Sequence, residues 1–366
     1  MRAAILEALN QPLVVADDVE IAAPAPDQVK VRVSHCGICH SDLSMTTGAF
    51  PAPLPIILGH EAAGVVEEVG SHVKALAPGD SVVLTPCPPC GTCYWCVRAE
   101  AAHCVNTAGI GTAAFPDGST GLSRAGQSIW RGVNLAAFSE YVVLQEHGAV
   151  KIPSELPRDV VCVIGCAVQT GVGAVLNTAQ VVEGATVLVL GLGGIGLSTV
   201  QGARIAGAAR IIASDPVPER REVAKALGAT DLIDPSVHKA AEQAREITGG
   251  VGVDYAFEAA GVGALIQEAY QATRNGGTVV CVGAPPLSES LDLGPAAAFV
   301  VSGKRVLGTV LGGSNSLREI PRLISLWQAG RLDLETLITA RRPLDEINDA
   351  MDDLKASRGI RSVLEL

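Results

Sequence analysis

Five of the ten cysteines fall between Cys87 and Cys104, and four of them, Cys90, Cys93, Cys96 and Cys104, follow a C-x₂-C-x₂-C spacing with the fourth thiol eight residues beyond. Four thiolates so spaced can wrap one tetrahedral metal ion, each adding negative charge and a short bond. The same spacing resembles an iron–sulfur run, and a closed four-thiolate zinc fits the loop before Cys104 at least as well. Disulfides are disfavoured, because the cysteines cluster in a chain of ordinary domain size rather than spreading as a secreted framework does. Cys36, Cys87, Cys162 and Cys281 are left over and read as buried or half-buried thiols.

Two further polar clusters interrupt apolar runs, one at His35, Cys36, Cys39, His40, Ser41 and Asp42, the other at Gly59, His60 and Glu61. A cysteine from the first and a histidine from the second suit zinc, and Cys166 offers a third soft donor far along the chain. Three protein ligands and an open fourth position are what a catalytic zinc requires, because the metal must polarise an exchangeable oxygen.

A glycine loop follows. Residues 186–190 form an apolar strand that runs into Gly191, Gly193, Gly194, Ile195 and Gly196, the G-x-G-x-x-G pattern at the start of a helix. The first glycine permits a tight turn, the second lets backbone N–H groups approach a pyrophosphate, and the third allows close helix packing. The helix end adds a positive partial charge. Asp215 closes the next strand, 19 positions after Gly196, where a carboxylate can accept hydrogen bonds from a ribose 2′-hydroxyl and repel a 2′-phosphate, so NAD is expected over NADP.

The elements that must position these groups divide by pattern. Residues 28–33, 63–69 and 80–84 alternate apolar and polar between Pro, Asp and Gly punctuation, which predicts a first part built of antiparallel strands. Residues 106–135, rich in Gly, Ser, Thr and Asn, read as a long surface excursion. After Cys166 strands and helices alternate, which predicts a doubly wound parallel sheet covered on both faces, with residues 304–311 as one further strand. The helix-rich tail from about residue 312 is too short to fold alone and is expected to return to the first part.

Composition narrows the function classes. The chain has 366 residues, more than one core usually supports, and a formal charge of −11 from 27 basic and 38 acidic residues. That balance argues against nucleic acid or an anionic membrane as the main partner. The apolar stretches are strand-length or interrupted, and the N-terminus lacks a signal-like core, so a cytoplasmic protein is expected.

Gly37, Cys39, His40, Ser41 and Asp42, then Gly59 to Gly64, the four-cysteine lobe, Gly165 and Cys166, the glycine loop and Ile360–Arg361 occur in an order and spacing that resemble the zinc-dependent alcohol dehydrogenases of the medium-chain dehydrogenase/reductase superfamily, over essentially the whole chain. The resemblance implies an α/β protein. A mainly-β GroES-like catalytic domain would span residues 1–167, with a structural-zinc lobe at about 87–105, a Rossmann coenzyme domain residues 168–310, and a returning segment residues 311–366. It implies a catalytic zinc on Cys39, His60 and Cys166, the ligand set known for alcohol dehydrogenases, and a structural zinc on Cys90, Cys93, Cys96 and Cys104. Asp42, orienting His60, and Glu61 would stand beside the metal. Ser41 would take the substrate's hydroxyl proton. His40 and Arg361 would hold the coenzyme pyrophosphate, Thr170 and Ile195 would lie against the nicotinamide, and Arg220 near the adenosine ribose.

The implied reaction is reversible hydride transfer between a primary alcohol, aliphatic or aromatic, and NAD, giving the aldehyde. Ser44 stands where many relatives carry a proton-accepting histidine, so proton release is expected to pass through the ribose to ordered water. By family position Phe50 and residues 130–133 would line an apolar channel. A formaldehyde–thiol adduct is the alternative substrate, and a non-catalytic, zinc- or redox-sensing nucleotide binder the alternative of another class. A homodimer joined through residues 304–311 is expected, with a homotetramer as the other assembly.

Overall fold

A computed structural model of the chain describes every residue except Ser314 and comprises two compact units. The first holds Met1–Cys166, Asn315–Gly330 and Ile338–Leu366, and the second Ala167–Ser314 and Arg331–Leu337. The tail therefore divides. Arg331–Leu337 belongs with the second unit, where Gln201 and Asp333 exchange two hydrogen bonds of 2.9 and 2.7 Å.

The first unit is built on a seven-stranded sheet whose centre is the long strand Gln28–Gly37. This strand pairs antiparallel with Glu61–Val69, Tyr141–Gln145 and Arg361–Glu365, and its register sets Gly37 opposite both Glu61 and Val363. Three chain segments far apart in sequence thus converge at one strand end. Gly37 is required there, since a Cβ would lie 2.6 Å from a Glu61 carboxylate oxygen. The alternating valines, Val29, Val31 and Val33, face a continuous apolar core that includes Leu58, Leu84 and Phe138.

Residues 106–135 depart from the expected surface excursion. Leu122–Arg124, Gln127–Ser128 and Trp130–Arg131 form strands, the last pairing parallel with Ile56–Ile57. Phe115, Leu122, Ile129, Arg131, Val133 and Leu135 are all buried. Single apolar residues spaced among Gly, Ser and Thr have no periodicity, so composition concealed their inward direction.

The second unit carries a six-stranded, all-parallel sheet in the order Asp231–Ile233, Arg210–Ser214, Thr186–Leu190, Val253–Glu258, Thr273–Cys281, Arg305–Gly308. Taken in chain order this is the 3-2-1-4-5-6 arrangement, whose topological switch falls between Thr186–Leu190 and Val253–Glu258. Strands covered on both faces read as unbroken apolar runs, and Val187 to Leu190 are at most 1% exposed. Helices Gly194–Ile205, Pro218–Ala226, Ala240–Ile247 and Gly263–Ala272 follow successive strands. Among the described residues no single helix is long and apolar enough to cross a membrane.

Candidate functional site

Cys39, His60, Glu61 and Cys166 bring their ligand atoms within 4.8 Å of one another in the first unit. Each is placed by a break in regular structure. Cys39 precedes helix His40–Thr47, His60 and Glu61 stand at the start of strand Glu61–Val69, and Cys166 sits between the short helical turn Cys162–Gly165 and helix Ala167–Gly173. A Cβ at Gly165 would lie 2.6 Å from the Leu84 carbonyl, so only glycine lets Cys166 approach this closely.

Asp42 aligns the set. Fully buried, its carboxylate accepts from the Cys39 amide at 2.9 Å, the Gly59 amide at 3.0 Å and His60 Nδ1 at 3.3 Å. A proton held on Nδ1 leaves the lone pair of Nε2 for a metal. Ser41 Oγ lies 3.2 Å from that Nε2, beside the atom a metal would bind. Burial acts to lower the His60 pKa, but the Asp42 and Cys39 charges outweigh it and hold it well above the ordinary value.

Two thiols share this pocket. A hydrogen bond from Cys166 lowers the Cys39 pKa well below normal, and the same contact raises that of Cys166. Burial pushes Glu61 up to about 8, opposed by the Arg361 cation. Two sulfurs, an imidazole nitrogen and a carboxylate crowded out of water form a donor set that a divalent cation would neutralise, and the soft sulfurs favour zinc.

Arg361 reaches into the metal pocket. Its guanidinium is 4% exposed and donates to Glu61 Oε1 at 2.9 Å, Cys39 Sγ at 3.6 Å and the Ile38 carbonyl at 3.1 Å. A cation so enclosed takes the nearest carboxylate as its partner, so Arg361 balances charge in the metal pocket. The sequence reading missed this ion pair, because strand pairing rather than spacing creates it.

The second cluster is the lobe. The sulfurs of Cys90, Cys93, Cys96 and Cys104 lie within 4.8 Å of one another, with Cys90–Cys96 at 4.0 Å and Cys93–Cys104 at 3.9 Å. A tetrahedron of ~2.3 Å zinc–sulfur bonds has edges of about 3.8 Å, so the cage fits. Backbone amides point at the sulfurs, Cys93 N to Cys90 Sγ at 3.3 Å and Cys90 N to Cys104 Sγ at 3.2 Å. Amides of Cys96 and Val105 pull the Cys93 thiol down to about 6. Cys36, Cys87, Cys162 and Cys281 belong to neither cluster, and burial pushes Cys87 up to about 12.

In the second unit Gly191 has φ +88°, and its Cβ would meet Ala260 at 2.8 Å. A Cβ at Gly196 would sit 1.8 Å from the Gly191 carbonyl, whereas one at Gly193 meets nothing within 4 Å, which leaves open space where a phosphate group approaches. Gly194 and Ile195 open the helix behind it. Asp215 is 4% exposed and pins the loop, accepting from Leu192 N at 2.7 Å and Val217 N at 2.8 Å, while each oxygen keeps a lone pair for a hydroxyl. Arg220 is half-buried on the following helix, and the neighbouring Arg221 donates to the Asp215 carbonyl at 2.6 Å and to Asp234 at 2.9 Å. Thr170 is buried on helix Ala167–Gly173, where a Cβ at Gly171 would stand 2.4 Å from the Ile195 carbonyl. His40 is exposed at the first turn of its helix, and Phe50 and Trp130 pack against the core of the first unit.

Residues 25–154 match the alcohol dehydrogenase GroES-like domain and residues 194–326 the zinc-binding dehydrogenase domain. Among solved structures, the chain is similar to an alcohol dehydrogenase zinc-binding domain protein from Burkholderia ambifaria, at 38% identity over 100% of this chain and 98% of that one, with a TM-score of 0.94. A benzyl alcohol dehydrogenase from Acinetobacter calcoaceticus is 30% identical over 100% and 99%, with a TM-score of 0.93. A zinc-binding dehydrogenase from Sinorhizobium meliloti 1021 bound to NADP is 30% identical over 100% and 99%, with a TM-score of 0.81.

Proposed function

Since the chain belongs to the zinc-binding alcohol dehydrogenases of the medium-chain dehydrogenase/reductase superfamily, we propose that it moves a hydride reversibly between a primary alcohol and NAD, with the aldehyde as product. The observation that carries this reading is the convergence of Cys39, His60 and Cys166 within 4.8 Å, with Ser41 Oγ 3.2 Å from the His60 nitrogen. Zinc in that pocket supplies Lewis acidity to an alcohol oxygen, and the nicotinamide supplies the hydride acceptor.

The side chains do the rest. Cys39, His60 and Cys166 would hold the metal. Ser41 accepts the proton leaving the substrate hydroxyl, Asp42 fixes the tautomer of His60, and Arg361 with Glu61 balances the charge around the thiolates. Backbone amides of Gly191 to Gly196 receive the pyrophosphate. The lobe would hold a second, structural zinc. Likeness to a benzyl alcohol dehydrogenase supports an aromatic alcohol as substrate. The direct test is NADH formation from ethanol, hexanol, octanol, benzyl alcohol and formaldehyde with small thiols, on protein of counted zinc content. Turnover of free primary alcohols supports the reading, and turnover of the thiol adduct alone replaces it.

Asp215 is proposed to set the choice of NAD over NADP. Hydrogen bonds to a charged acceptor contribute about 1.5–3 kcal/mol, or roughly 10- to 100-fold. Asp215→Ala should therefore narrow the ratio of kcat/KM for NAD over NADP by at least ~10-fold. An unchanged ratio would remove Asp215 from that role.

The strand Arg305–Gly308 is an edge of the parallel sheet, and the adjoining helix Ala296–Ser302 leaves Val300 75% and Val301 84% exposed. An open edge beside an apolar face supports a homodimer through these residues. Light scattering should give a mass near twice that of one chain, and a mass near four chains would refute the dimer.

A further inference from the structure

Outside both cysteine clusters and the glycine loop, the first unit contains a cavity of 440 Å³, within the size range of small-molecule sites. No metal-pocket ligand, lobe cysteine or Phe50 lines it, whereas Trp130 and Arg131, from the 130–133 stretch expected along the substrate channel, do. Its walls are largely apolar, formed by Phe115, Trp130, Leu135 and Leu144, and they include no Asp or Glu.

One cation stands in that wall. Arg131 is 2% exposed, its guanidinium 3.7 Å from the centre of the Phe115 ring. Nη1 donates to the Val143 carbonyl at 2.7 Å and Nη2 to the Asn134 carbonyl at 2.8 Å, while Nε has no hydrogen-bond partner among the described residues. No carboxylate pairs with it among the described residues, whereas Arg361, similarly buried, has Glu61 at 2.9 Å. Neutral carbonyls and a ring face ease the burial of a guanidinium without cancelling its charge, and an unpaired buried ion is costly. A carboxylate is the group whose geometry best matches a guanidinium edge.

We infer that this cavity is a binding site for an organic monocarboxylate with an aromatic or short aliphatic body, its carboxylate on Arg131 and its apolar part against Phe115, Trp130 and Leu144. A single uncompensated positive charge matches a monoanion better than a phosphate dianion, and the aromatic walls exclude a small hydrated ion as the best ligand. None of Cys39, Ser41, His60, Cys166 or Gly191–Gly196 lines the cavity, so the inference does not rest on the proposed reaction.

Calorimetry on the zinc-loaded full-length protein tests it, with benzoate as the probe and benzamide as its neutral counterpart. Benzoate should bind once per chain and at least ~10-fold more tightly than benzamide, the difference one charge-assisted pair makes. Arg131→Met should abolish that difference. Thr112→Trp, an exchange at an exposed wall residue that leaves the Arg131 contacts intact, should weaken benzoate at least ~10-fold by filling the cavity. Equal binding of the two probes, no binding of either, or benzoate affinity unchanged in Thr112→Trp, which would locate the anion elsewhere, each overturns the inference.

Discussion

Cys166→Ser should reduce alcohol turnover by about 10³-fold or more, because Lewis-acid assistance is worth several kcal/mol and each ~1.4 kcal/mol is tenfold in rate. The same protein should hold one zinc fewer per chain than its parent. Without Cys166 the pocket keeps one thiolate, one imidazole and the Glu61 carboxylate that Arg361 already engages, and a serine hydroxyl is a poor substitute for a thiolate. Serine has nearly the shape of cysteine, and the glycine that lets residue 166 approach is untouched, so the fold should persist. Metal analysis with steady-state kinetics decides the matter. Full zinc content with undiminished turnover would remove Cys166 from the metal centre.

Cys93→Ser should act on stability instead, lowering the melting temperature by about 3–5 °C, equivalent to a few kcal/mol for a chain of this length. The lobe has almost no core of its own. Tyr94, Val97 and Val105 are 60%, 64% and 57% exposed, and only Ala101, Ala102 and Cys104 are buried in its second half. Metal-ligand bonds must then supply what apolar burial does not. Initial rates per folded molecule at low temperature should change little. A melting temperature within about 1 °C of the parent, a shift of less than about 1 kcal/mol, would show that the four thiols hold no structural metal.

Much of this arrangement was legible in the residues themselves. The lobe is confined to a short stretch, so spacing alone assembled its four sulfurs. Strand and helix runs in the second half have the apolar periods that define them, and Val253–Glu258 lies where the pattern put it. The metal pocket needed more, since Cys39, His60 and Cys166 meet only through sheet register, and the family resemblance rather than periodicity joined them. Three features were hidden for identifiable reasons. Arg361 reaches Glu61 across 300 residues of sequence because Glu61 and Val363, two residues after Arg361, both pair with Gly37 in the central sheet. Arg221 donates to the Asp215 carbonyl, a contact that no sequence signal marks, because successive helical residues point about 100° apart and spacing does not set that phase. Arg131 and Phe115 lie within a Gly- and Ser-rich segment whose composition suggests solvent, although both are buried.

Hydride transfer is followed most directly with benzyl alcohol deuterated at its carbinol carbon, turned over with NAD by protein carrying zinc in both cysteine-containing clusters. The expected result is one deuterium at C4 of the nicotinamide for each benzaldehyde formed, with a slowed rate if carbon–hydrogen cleavage limits turnover. Aldehyde formed without label in the coenzyme, or no turnover of any primary alcohol by zinc-replete protein that binds NADH, would contradict the proposed reaction.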